Sequence, residues 1–175
     1  VSEVTKMRLD KFAAKCGLGS RAEARALIRS GQVLVDGLPV KDGSLILDPL
    51  AAKVTVAGKE LIYKEFHYLM LNKPAGVISA TQDGLHATVL DLLPRPYRHL
   101  KLFPVGRLDR DTQGLLLLTD DGQLAHNLLA PKKQVPKTYL ALIRGCVGKE
   151  DKEAFARGVV LSDFTTLPAE LTGLA

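Results

Sequence analysis

The chain has 175 residues, 46% of them hydrophobic and 25% charged. That suffices for one ordinary domain, or one medium and one small domain, with a buried core. It has no Trp and only 5% aromatic residues, which argues against a wide aromatic platform for single-stranded nucleic acid. The net charge of +5 favours polyanionic partners; the excess lies in residues 1–145, whereas residues 146–175 are net acidic. Cys16 and Cys146 stand in no paired motif, which suits a reducing cytoplasm rather than a disulfide scaffold. No signal peptide or membrane-length apolar run is read from the sequence.

In chain order, Leu9, Phe12, Ala13 and Cys16 recur at helical spacing over residues 7–16, and Gly17 and Gly19 stop that helix. Ser20 and Glu23 have the spacing of a capping box, opening a second helix to about Ser30 with Ala24, Leu27 and Ile28 inward. Val33-Leu34-Val35-Asp36-Gly37 reads as a strand and turn, and Val54–Val56 as another strand. Residues 60–66 are the expected linker. Tyr68–Leu71 reads as a strand running into the turn Asn72-Lys73-Pro74-Ala75-Gly76. Leu115–Leu118 reads as a buried strand, Asp120-Asp121-Gly122 as a tight turn, Gln123–Leu129 as a helix, Lys137–Ile143 as a strand and Lys149–Arg157 as a helix. The second part is therefore expected to be α+β with a mostly antiparallel sheet.

Two basic stripes stand out. Arg8, Lys11 and Lys15 lie three and four residues apart, and Arg21, Arg25 and Arg29 four apart, so each set shares one helix face. Such faces suit an RNA backbone, or are ordinary solvated surface. A second constellation is Gly106-Arg107-Leu108-Asp109-Arg110-Asp111-Thr112, a polar segment between two apolar runs. A partly desolvated carboxylate beside cations there is a plausible nucleophile or base. On residue chemistry alone Asp109, Asp111 and the Asp120–Asp121 pair compete. Arg107 has an ion pair with Asp111 as its plain structural alternative, and Tyr139 a place in the core. His67, His86, His99 and His126 show no metal-ligand spacing.

The order Arg8-Leu9-Asp10-Lys11, Ser20–Arg25, Gly31–Gly37 closely resembles the αL RNA-binding module of a small-subunit ribosomal protein and several RNA-modifying enzymes. The segment from Gly106 to Gly122, with Leu71–Gly76 and Lys137-Thr138-Tyr139-Leu140, resembles the pseudouridine synthases, specifically the family acting on small-subunit ribosomal RNA. The resemblance implies an RNA-binding module over 7–59 and a catalytic domain over 67–175. It makes Asp109 the catalytic aspartate, Tyr139 the residue that stacks on the target uracil, and Arg107 a residue placing the flipped nucleotide. It assigns the Asn72-Lys73-Pro74 segment to the scaffold. It implies uridine isomerisation without cofactor or metal, ribosomal RNA or an assembly intermediate as partner, and a cytoplasmic monomer. The family pattern continues past Ala175 with a stretch carrying a basic partner for the aspartate, so the catalytic domain is expected to be incomplete. A dead RNA-binding scaffold, a large-subunit RNA enzyme and a hydrolase using Asp109 and Asp111 are the alternatives.

Overall fold

The computed structural model describes residues 6–174, which fall into two compact units divided between Val135 and Pro136. In the first unit, β1 (Met7–Arg8) pairs antiparallel with β4 (Ile46–Leu47), and α1 (Leu9–Lys15) starts immediately after β1. The expected helix over 7–16 thus loses its first two residues to a strand. α2 (Arg21–Arg29) opens with the expected capping box: Ser20 accepts from the Glu23 N–H, and Glu23 accepts from the Ser20 N–H at 2.7 Å. This satisfies two of the orphan donors of the first turn.

Next comes a four-stranded antiparallel sheet in the order β3 (Leu38–Pro39), β2 (Val33–Val35), β5 (Val54–Val56), β6 (Lys59–Glu60). The β2–β3 turn holds Asp36 and Gly37 both at positive φ, 52° and 83°, the left-handed pair of a type I′ hairpin, which glycine adopts without steric cost. Leu9, Phe12, Ile28, Val33, Leu47 and Val54 form the core of this part.

The sheet that carries the site has the order β7 (Tyr68–Lys73), β9 (Gly114–Thr119), β8 (Phe103–Val105), all antiparallel. Leu69 faces Leu118 and Leu71 faces Leu116. These positions share one face and pack on Val77, Val89, Leu93 and Leu102. Burying one such leucine stabilises the fold by about 1.5–3 kcal/mol. Because side chains alternate, β9 is not buried throughout as expected: Leu116 and Leu118 are covered while Leu115 is 72% exposed.

α3 (Gly122–Leu129) follows. Asp121 caps it by accepting from the Leu124 N–H at 2.9 Å, so the expected tight turn is a helix start. The Leu124 N–H, then the Tyr68 hydroxyl at 2.8 Å, hold the Asp121 carboxyl below its ordinary range.

In the second unit, α4 (Lys149–Arg157) starts after Gly148, whose N–H is capped by Asp151, and ends at Gly158. The expected strand at 137–143 does not form. A strand is completed by ladder partners, and residues 139–143 belong to no strand ladder among the described residues. No described helix is long and apolar enough to cross a membrane.

Candidate functional site

β1 and α2 bring three arginines of the basic stripes onto one buried carboxylate of α1. Asp10 is fully buried; it accepts from Arg25 Nε at 2.6 Å and Arg21 Nη2 at 2.8 Å, with Arg8 Nη2 3.5 Å away. Burial pushes the Asp10 carboxyl up, but the hydrogen bonds from Arg25 and Arg21 outweigh it and hold the carboxyl below its ordinary value of 3.8. Charge-assisted bonds of this kind are the strong ones. Arg8, Arg21 and Arg25 are thus not free solvated stripes: Asp10 fixes them while each stays about half exposed. Their remaining N–H donors suit a phosphate, which guanidinium groups match in geometry. Lys11 and Arg29 are exposed, and Lys15 donates to the Glu65 carbonyl at 2.8 Å and lies over the Tyr63 ring.

The C-terminal end of α1 is tied to the sheet that follows. His99 Nε2 lies 2.7 Å from the Ala14 carbonyl and His67 Nε2 3.1 Å from the Lys15 carbonyl. The other ring nitrogen of His67 meets Asp120 at 3.0 Å. His67 thus serves the Lys15 carbonyl at the helix end, and His99 adds a second contact to the Ala14 carbonyl, which also accepts from the Gly17 N–H at 3.1 Å. His67 and His99 are therefore hydrogen-bonding residues. Among the described residues no three His, Cys, Asp or Glu side chains gather as a metal site.

The loop between β8 and β9 carries Asp109. It starts at Gly106, whose φ of +93° and whose approach to Leu129 (a Cβ would lie 3.3 Å from Leu129 Cδ2) both favour glycine. Asp109 and Arg107 are exposed and line an open cleft of about 840 Å³ with Ser79, Thr81, Asp83 and Arg110. That size is typical of small-ligand clefts, about 300–1,000 Å³. Arg107 and Asp111 form no ion pair among the described residues, which removes the structural alternative for Arg107. Tyr139 lies in the second unit, 68% exposed, on an irregular segment rather than a core strand.

The backbone of this loop is held from beneath. Lys73, at the end of β7, is fully buried; its Nζ donates to the carbonyls of Asp109 (2.9 Å), Thr112 (2.8 Å), Arg110 (3.1 Å) and Pro74 (3.1 Å). The Gly76 N–H also donates to the Arg110 carbonyl, and the Thr112 N–H to that of Asp109. The sequence carried a signal for Lys73: the β7 alternation Leu69, Leu71, Lys73 places it inward. No spacing rule marks Asp10 as the hub of the arginines.

With this geometry in place, the comparisons with known proteins are specific. Residues 67–164 match the RNA pseudouridylate synthase family and residues 7–49 match the S4 domain. The chain belongs to the RNA pseudouridylate synthase family, whose members are isomerases, and carries an S4 RNA-binding module in front. It is 49% identical over 94% of its length to an RNA pseudouridine synthase of Bacillus subtilis (strain 168), covering 69% of that protein. It is 43% identical over 89% to ribosomal small subunit pseudouridine synthase A of Salmonella typhimurium, covering 67%, and 40% identical over 93% to ribosomal large subunit pseudouridine synthase B of Bacillus subtilis, covering 66%. Several other relatives are covered over 61–63% of their length, so the chain spans about two-thirds of the proteins it matches. A solved structure described as a pseudouridylate synthase matches with a TM-score of 0.52 at 32% identity, over 97% of this chain and 73% of the other.

Proposed function

We propose that the protein converts a specific uridine of ribosomal RNA to pseudouridine in the cytoplasm, with Asp109 performing the chemistry. The observation that carries this is an exposed Asp109 in an open cleft beside Arg107, on a loop whose carbonyls are pinned by Lys73. The reaction breaks the ribose C1′–N1 bond of uridine and forms a C1′–C5 bond; the C5 proton leaves and N1 gains one, so product and substrate are isomers. No redox change or group transfer is involved, and Asp109 serves either as nucleophile or as the base removing a ribose proton.

A uridine in structured RNA must leave its stack to reach the cleft, at a cost of a few kcal/mol. Residues 7–59 grip the RNA, with Arg8, Arg21 and Arg25 fixed by Asp10 and Lys11, Lys15 and Arg29 adding charge; residues 60–66 link them to the catalytic part, 67–175. Arg107 places the extruded nucleotide and Tyr139 stacks on the uracil. Likeness to the small-subunit enzymes makes small-subunit ribosomal RNA the preferred substrate. The 40% identity to the large-subunit enzyme favours large-subunit RNA as the second reading.

The test uses ribosomal RNA from a strain lacking the protein, with pseudouridine detected by carbodiimide labelling after incubation with the full-length protein. Wild type is expected to restore labelling at one position, whose location distinguishes the two RNAs. Asp109→Asn is expected to restore none while still binding the RNA. Full turnover by Asp109→Asn overturns the assignment.

A further inference from the structure

Lys73 holds the Asp109 loop from the β7 side; a second group holds it from the cleft side. Ser79 Oγ donates to the Leu108 carbonyl at 2.8 Å and accepts from the Leu108 N–H at 3.0 Å. One hydroxyl thus engages both backbone polar groups of the residue immediately before Asp109, across 29 positions of sequence. The Leu108 carbonyl belongs to the peptide that leads into Asp109, so its direction fixes the plane from which the Asp109 Cα departs.

Ser79 is itself well anchored. Ile78 donates to the Ala87 carbonyl at 3.0 Å and its own carbonyl accepts from Val89 at 3.0 Å, so residue 78 is stitched to the segment that carries the buried Val89. Ser79 also lines the cleft with Arg107 and Asp109. Rigid support on one side and the reactive loop on the other are what a group that sets catalytic geometry requires.

The geometry points to Ser79 as a positioning residue for Asp109. Its hydroxyl fixes the Leu108–Asp109 peptide, so that the Asp109 carboxylate meets the extruded uridine at the reacting distance. This rests on Asp109 being the residue that does the chemistry. Without the hydroxyl, the Leu108 N–H and carbonyl lose a shared partner, and the loop gains freedom at the position next to the carboxylate. A displacement of about 1 Å at a reacting group is enough to lower a rate by about 10²-fold, whereas gross RNA affinity, set by phosphate contacts elsewhere, does not depend on it.

The experiment compares Ser79→Thr with Ser79→Val in the full-length protein, because the two side chains share a shape and differ only in the hydroxyl. Single-turnover rates and RNA Kd are measured on ribosomal RNA from the deletion strain, with Asp109→Asn in parallel. Ser79→Val is expected to lose roughly 10-fold or more in rate with RNA Kd within about 2-fold of wild type, and Ser79→Thr to recover most of the rate. Should Ser79→Val not fold, Ser79→Ala takes its place against the same Thr variant.

Equal rates for the hydroxyl and non-hydroxyl variants overturn the inference, and so does a rate loss matched by an equal loss in RNA Kd. An inactive Asp109→Asn beside a fully active Ser79→Val sinks the role of Ser79 alone. An active Asp109→Asn sinks the reading of Asp109 on which it rests.

Discussion

Lys73 Nζ lies 2.9 Å from the Asp109 carbonyl oxygen, one of four carbonyls that share its three N–H donors. A buried lysine is rare unless its donors are satisfied, and here the satisfying groups are the loop itself. Lys73→Met keeps the apolar stem and leaves those carbonyls without their donor. Each buried polar group so orphaned costs about 1–3 kcal/mol; since some carbonyls keep other partners, a total loss of about 3–5 kcal/mol is expected in urea unfolding. Lys73→Arg should not restore it, because a planar guanidinium cannot occupy a site shaped for a compact ammonium. A loss below about 1 kcal/mol for Lys73→Met would show that the loop holds without it.

Asp10 gives a signed pH prediction. Its folded carboxyl lies below the ordinary 3.8 because Arg25 and Arg21 outweigh the effect of burial. A group with a depressed folded value contributes stability that is fully present above the unfolded value and is lost as pH falls through the folded one. The stability gap between wild type and Asp10→Asn is therefore expected to be constant at neutral pH and to shrink as pH drops beneath 3.8, read by denaturant midpoints. The same variant adds one net positive charge yet is expected to bind RNA several-fold more weakly at fixed salt, since Arg8, Arg21 and Arg25 lose their common anchor. Tighter RNA binding by Asp10→Asn would mean that charge count, not arginine placement, governs the face.

Much of this arrangement is written locally in the sequence. The Ser20–Glu23 box, the Asp36-Gly37 turn, α3 and α4 rest on capping, turn chemistry or helical periodicity, which neighbouring residues largely decide, while β5, β7 and β9 have a local pattern that their antiparallel partners complete. What periodicity does not carry is convergence over distance: Asp10 gathering Arg21 and Arg25, Ser79 meeting Leu108, His67 and His99 reaching the end of α1. The apolar 139–143 run shows the opposite case. Its composition favours a strand, but a strand is a pairing rather than a property of one segment, and these residues lie unpaired in a ladder. Asp109 stood among several carboxylates on chemistry alone; family resemblance singled it out.

The capping box opening α2 sets a smaller, cleaner expectation. Ser20→Ala removes the acceptor for the Glu23 N–H, and replacing such a cap costs about 1 kcal/mol. Glu23 also sits 3.8 Å from Arg95, but both are exposed, and solvent screening leaves such a pair little weight. Glu23→Gln, which keeps the capping geometry, is therefore expected to cost less than Ser20→Ala in the same unfolding assay. The reverse order would assign the stabilisation to charge.

The two cysteines should separate by chemistry. Burial pushes the Cys16 thiol up to about 12, against a smaller downward pull from Lys15, and Cys16 packs against the Leu9–Phe12 core. The thiolate is the nucleophile, so at pH 8 Cys16 holds almost none of it, whereas Cys146 is exposed to reagent. Iodoacetamide on the native protein is expected to add one label, mapped by mass spectrometry to Cys146, and a second only after unfolding. Cys16 labelling at the same rate as Cys146 would mean that the end of α1 opens readily. In that case the N–H groups of Gly17 and Leu18, which donate to the Ala14 and Ala13 carbonyls, are expected to exchange rapidly as well.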